Sequence, residues 1–210
     1  MQHSAPQGHC VEPSAATRPP GDRAEFLADA TGKRVVLISS STVAAKVTTK
    51  FRTIPVPIVI WEHALFDDQG MTAASGRQVS SQRDLTITAP AHPLAAGLSG
   101  TVNVTSTATA FAIGTPNANA TVVATLAGTT TPALFAYEAG ASMPGLTAPA
   151  RRVGLFLGEP TAATFTTAGT ALFDAAVNWA VGAGGTPTPT PPPPPPPPPT
   201  PPPPPPPPPP

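Results

Sequence analysis

Residues 33–41, KRVVLISSS, and residues 57–63, PIVIWEH, decide the fold class of this chain. Val35, Val36, Leu37 and Ile38 form a continuous apolar run that ends in three serines. Such a run predicts a strand covered on both faces. Ile58, Val59, Ile60 and Trp61 repeat the pattern, with Pro55 and Pro57 marking the start. Between the two runs, Val43, Val47, Phe51 and Ile54 recur at helical spacing, weakened by Thr48, Thr49 and Thr53. Strand, short helix, strand is a βαβ unit, which implies a parallel sheet with a right-handed crossover.

Downstream the pattern changes. Short apolar runs at 85–88, 102–106, 110–113, 122–126 and 134–137 are separated by Gly, Pro and Asn turns. They predict short strands in an antiparallel insertion or at the sheet edge. Residues 153–157 predict a third buried strand. The strongest helix follows, with Thr166 or Thr167 as its cap. Leu172, Phe173, Ala176, Val177, Ala180 and Val181 make one apolar stripe, and Asp174 and Asn178 face outward. Gly182 ends it. The expected domain is α/β and spans 32–183.

The flanks read differently. Residues 1–31 carry Pro6, Pro13, Pro19 and Pro20 with mixed charges and predict a disordered segment. Residues 184–210 predict a Pro/Thr-rich linker. Proline fixes φ and lacks an N–H, so this run cannot join a helix or sheet and should form a polyproline II rod. At ~3.1 Å per residue, residues 191–210 would reach roughly 60 Å. A spacer of that length implies a further domain beyond it.

Composition narrows the function. Eleven basic and eleven acidic residues balance, which argues against electrostatic binding to nucleic acid or anionic membranes. No apolar stretch approaches the ~18 residues of a membrane span. Cys10 is the only cysteine, so no disulfide framework or multi-cysteine metal site is expected. The body is Thr-rich and holds only Lys33, Lys46 and Lys50 as lysines. With its Pro/Thr tail this points to a secreted, extracellular bacterial protein. The N-terminus as written shows no signal peptide.

Several segments together carry a resemblance: KRVVLISSS (33–41), KFRTIPVPIVIWEHALFDDQGMT (50–72), AHPLAAGL (91–98), ALFAYEAGASM (133–143), RRVGLFLGEP (151–160) and LFDAAVNWAVG (172–182). In combination they resemble the ThuA-like branch of the class I glutamine-amidotransferase-like fold. The resemblance is to the form found as a module in large bacterial extracellular proteins. It implies a flavodoxin-like, mostly parallel sheet flanked by helices, with an antiparallel strand-rich insertion. It also implies an opening strand, helix and strand before Lys33. Residues 1–29 show no strand pattern there, so the chain reads as truncated at its start. The resemblance further implies a setting in carbohydrate use.

In open α/β sheets, ligands bind beyond the carboxyl ends of the strands. That rule selects Ser39, Ser40 and Ser41 after one strand, Trp61, Glu62 and His63 after the next, and Glu159 after the third. An amidotransferase needs a cysteine on a sharp strand-to-helix turn, and none occurs after Glu12. A Ser–His–acid hydrolase could use a residue from Ser39 to Ser41, Ser40 foremost, with His63 or His92 and Glu62 or Glu159, but no G-x-S-x-G elbow surrounds these serines. His63 with Glu62, Asp67 and Asp68 is the densest ionisable cluster, and His63, Asp67 and Asp68 could hold a divalent metal. The plainer reading is a polar loop whose acids cap a following turn. Trp61 and Tyr137 could stack on a sugar ring or simply be buried. His92 reads as an ordering residue of its loop. Arg151 and Arg152 read as a solvated strand edge. The reading that results is a non-catalytic module that binds carbohydrate or a partner. The alternatives are a hydrolase on a sugar-related substrate, with or without a metal, and a structural spacer.

Overall fold

A computed structural model describes residues 29–182. The expected N-terminal disordered segment, apart from its last three residues, and the Pro/Thr linker lie outside the described residues. Ala30, the second described residue, is already buried in the core cluster that includes Ile54 and Val56.

The centre is a seven-stranded mixed sheet. The first strand, β1 (Val36–Ile38), pairs in parallel with β2 (Ile58–Ile60). The last, β11 (Arg152–Gly154), pairs in parallel with the other side of β2. Beyond β11 the sheet turns antiparallel, through β8 (Pro132–Tyr137), β7 (Thr121–Leu126), β4 (Asp84–Ile87) and β5 (Gly100–Asn103). Two small ladders complete it: β3 (Arg77–Gln82) with β6 (Thr109–Ile113), and β9 (Ser142–Met143) with β10 (Leu146–Thr147). The sheet is therefore α/β in type, with parallel pairing confined to β1, β2 and β11. The antiparallel strands are the predicted short runs.

Two α-helices lie wholly within the described residues, after the helical pair Asp29–Ala30. The first, α1 (Ala44–Val47), is a single turn. The threonines that weakened its pattern end it, and Thr48 takes φ +47°. The second, α2 (Thr167–Ala180), starts on Thr166, whose side-chain oxygen accepts from the Gly169 N–H at 3.2 Å. This is the predicted cap. Its buried stripe is Gly169, Leu172, Ala176, Trp179 and Ala180. Trp179, rather than Phe173 or Val177, anchors the inner face.

The sheet is covered on two sides. One core cluster joins Val59, Val153, Leu155 and Phe156 to Leu172, Ala176 and Trp179 of α2. The other joins Ile58, Ile60, Leu65, Phe66, Met71 and Tyr137. Two expectations fail. β1 is an edge strand, and Leu37 is 46% exposed, so the run 35–38 is not covered on both faces. Arg151 and Arg152 are not a solvated edge. Arg152 is fully buried, and its guanidinium donates to the carbonyls of Ile54, Val56, Ala150 and Arg151. Arg151 donates to Glu138 at 2.9 Å and lies over the Trp179 ring at 4.6 Å. β11 starts beside its one parallel neighbour β2, and the Arg152 guanidinium satisfies the carbonyls gathered there, while Arg151 also donates to the Trp179 carbonyl at the end of α2.

Candidate functional site

The parallel pairing sets the carboxyl ends of β1, β2 and β11 side by side. The segments selected from sequence thus reach one sheet edge: residues 39–41, 61–63 and 155–159. The Trp61 N–H donates to the Ile38 carbonyl at 3.0 Å, which ties the first two segments together. Their side chains do separate work.

Ser39 Oγ accepts from the Ser41 N–H at 3.3 Å and bonds the Ser41 hydroxyl at 3.0 Å. The serine loop is thereby folded on itself, with Ser39 and Ser40 half-buried and Ser41 exposed. Trp61 is half-buried and meets Phe173 of α2 edge-on, with ring centres 5.9 Å apart. Glu62 is buried, and its Oε1 accepts from the Ala64 N–H at 3.1 Å. It is the cap of the 3-10 turn His63–Leu65. His63 Nδ1 lies 3.6 Å from the same oxygen and is buried without a hydrogen-bond partner. That separation is too long for a hydrogen bond.

Asp67 accepts from Ser75 Oγ at 3.0 Å. The Asp68 carboxyl is held above its usual range, first by partial burial, then by Asp67, with Arg52 opposing. Glu159 is exposed. The loop before it is closed by Thr161, whose Oγ1 accepts from the Gly158 N–H at 2.8 Å and donates to the Ala110 carbonyl at 3.1 Å.

The loop after β2 is pinned from below by Tyr137. Its hydroxyl donates to the Met71 carbonyl at 2.8 Å and accepts from the Asn117 N–H at 3.1 Å. Tyr137 is fully buried, so it presents no face to a sugar. Burial raises its pKa, with the Asn117 N–H opposing. The Gly76 N–H donates to the His63 carbonyl at 2.9 Å and returns the chain to the sheet.

The structure therefore does not bring Ser40 to a histidine. Among the described residues, no serine or threonine hydroxyl hydrogen-bonds to His63 or His92. His92 Nδ1 accepts from the Leu94 N–H at 3.2 Å and caps the turn Pro93–Ala95, which is the predicted ordering role. Its ring lies 5.5 Å from Trp179. Burial lowers its pKa, Glu138 opposes that, and Arg151 adds to it. Among the described residues, no three His, Cys, Asp or Glu side chains gather to hold a metal ion. His63, Asp67 and Asp68 thus do not make a three-ligand set.

One feature escaped the sequence. A cleft of about 530 Å³ opens beside the same loop, lined by Ser75, Gly76, Arg77, Gly114, Thr115 and Thr131 among others. β3 supplies one wall but reads RQVSSQ, with no apolar alternation to mark it as a strand. The available signal was the glycines. A Cβ on Gly76 would stand 2.6 Å from the Ile113 carbonyl, and one on Gly114 2.8 Å from the Phe66 ring.

No protein-family model, curated protein or solved structure matches this chain. No helix among the described residues is long and apolar enough to cross a membrane.

Proposed function

We propose that this domain is a non-catalytic, ThuA-like binding module of a multidomain extracellular protein. In this reading its parallel strands are the remnant of a flavodoxin-like sheet. It holds a carbohydrate at the carboxyl edge of β1, β2 and β11. One observation carries the reading: Trp61 is half-buried and braced by Phe173, it precedes the Glu62–His63 pair, and its N–H is bonded to the Ile38 carbonyl just before the serine loop. A fixed aromatic ring flanked by a few polar groups suits a sugar ring, which has an apolar face and a hydroxyl rim. Folds of this kind host many activities, so the site and not the fold bears the weight.

The test is a glycan array followed by calorimetric titration of each hit. Trp61→Ala should weaken binding at least tenfold, while His63→Ala leaves it within a few-fold. No bound glycan, or binding indifferent to Trp61→Ala, defeats the reading. A second reading is a hydrolase acting on a sugar-related substrate through Glu62, His63, Asp67 and Asp68, with or without a divalent metal. The buried, unpartnered Nδ1 of His63 favours it, because such atoms call for explanation. Turnover lost on His63→Ala would decide for it.

A further inference from the structure

The cleft of about 530 Å³ beside β3 is separate from the carboxyl edge of the parallel strands: none of residues 39–41 or 61–63 lines it. Its walls are held by the fold. Residues 73–77 lead into β3, where Arg77 pairs with Ile113 of β6. Residues 113–115 follow β6, and the Gly114 N–H donates to the Pro132 carbonyl at 3.4 Å. Residues 130–132 leave the β7–β8 turn, which Thr129 fixes: its Oγ1 accepts from the Thr131 N–H at 3.1 Å and donates to the Leu126 carbonyl at 3.0 Å. A frame set in advance spares the cost of ordering it on binding.

These walls offer unengaged polar groups, mostly donors. Arg77 is the one ionisable residue on them. Its exposed guanidinium makes no ion pair or hydrogen bond among the described residues, unlike Arg151 and Arg152. The backbone N–H groups of Ala73, Ala74 and Ser75 likewise have no partner among the described residues. Residues 71–74 form a bend, and successive free N–H groups in a turn favour an anion. The hydroxyls of Thr115 and Thr130 are also unengaged among the described residues. Ser75 is different: its hydroxyl donates to Asp67 at 3.0 Å, so its oxygen is left as an acceptor.

We propose that this cleft binds a sugar acid, a polyhydroxylated ligand with one carboxylate. The fork of Arg77 matches the two oxygens of a carboxylate, and the N–H groups of residues 73–75 add to the same preference. The threonine hydroxyls donate or accept, and the Ser75 oxygen accepts, which suits ligand hydroxyls of either sense. Ile113 and Pro132 supply apolar surface for the C–H face of a ring. Charge sets the limit. A single cation lines the cleft, and Asp67 stands behind Ser75, so a monoanion is favoured over a phosphate dianion. The volume lies in the range of roughly 300–1,000 Å³ usual for small-molecule sites.

The test is a titration of the ¹⁵N-labelled full chain with galacturonate and with glucuronate, followed by two-dimensional amide NMR. Galactose, acetate and inorganic phosphate serve as comparisons. At least one of the two acids should shift the Ala73, Ala74 and Ser75 signals saturably. Galactose, acetate and phosphate should each bind at least about tenfold more weakly, and Arg77→Gln, at an exposed position, should cost about tenfold or more. Thr130→Ala should cost a few-fold. Trp61→Ala should change nothing, so failure here and failure of the Trp61 site are read separately. No saturable shift with either acid, any comparison ligand binding as tightly, or binding indifferent to Arg77→Gln would each overturn the proposal.

Discussion

Replacing Arg152 by methionine should destabilise the protein by about 3 kcal/mol, the balance of two opposed effects. Arg152 heads the fully buried side chains by size and pairs with no carboxylate among the described residues. Burial pulls its pKa well below the usual guanidinium range, to about 10. That fall corresponds to about 3 kcal/mol of strain on the charged form, which methionine relieves. Against it stand the carbonyls. Nη1 serves Val56 at 3.0 Å and Ala150 at 3.1 Å, and Nη2 serves Ile54 at 2.9 Å. The Arg151 carbonyl keeps a second donor in the Ile58 N–H, but the other three have none among the described residues. Each buried acceptor left bare costs about 1–3 kcal/mol, or about 6 kcal/mol for three at the middle of that range. Hydrophobic replacement of buried ion pairs is often neutral because both charges leave together. Here the partners are backbone and cannot leave. The folded pKa lies below the unfolded one, so the strain is relieved only as pH rises through about 10 towards the ordinary guanidinium value. Between pH 6 and 8 the comparison sits on a plateau. Urea unfolding followed by circular dichroism gives the difference. An Arg152→Met protein as stable as the parent, or more so, refutes the accounting.

Gly169→Ala should lower stability by about 1–2 kcal/mol, although alanine in a helix normally gains about 1 kcal/mol over glycine. The new Cβ would overlap the Val104 carbonyl and stand 2.8 Å from Phe165; a raised melting temperature would contradict this. His92 should make stability fall with acidity. Its pKa is lowered from 6.5, mainly by burial, so its contribution is full above 6.5 and is lost as pH falls through the lowered value. Asparagine can accept the same cap hydrogen bond without titrating, so His92→Asn should flatten the urea midpoint between pH 7 and 5. Equal slopes for parent and variant would count against it.

What could be read in the sequence was whatever a local pattern encodes. β2 appeared because four consecutive apolar residues need burial from both sides. α2 appeared because its stripe keeps the 3.6-residue period behind a threonine cap. Glu62 was legible as one of the loop acids that cap a turn, and His92 as a residue that orders its loop, because side-chain acceptors favour such places. Strand order is not local: residues 35–38 have the same apolar character as 58–61, yet one strand is central and the other lies at the edge. β3 was invisible because backbone pairing to β6 holds RQVSSQ in place. Arg152 misled because arginine at a strand start ordinarily faces water. Only the three-dimensional base of the sheet shows the carbonyls it serves.

The carboxyl edge shows why binding and turnover place different demands on these loops. Most polar groups there are already engaged with their own backbone or with each other: Ser39 with Ser41, Glu62 with Ala64, Asp67 with Ser75, Thr161 with Gly158. A general acid or base must take up and release a proton during each cycle. Glu62 can accept a proton on Oε1 only by giving up a cap worth about 1 kcal/mol and loosening the turn that positions His63. Trp61 carries no such conflict, since its ring surface takes part in no hydrogen bond that a ligand would break. The same holds for the exposed Ser41 hydroxyl, which can add a partner while keeping Ser39. A ligand that engaged only Trp61 and Ser41 would leave every cap in place, and that difference in cost is the physical ground for proposing recognition at this edge.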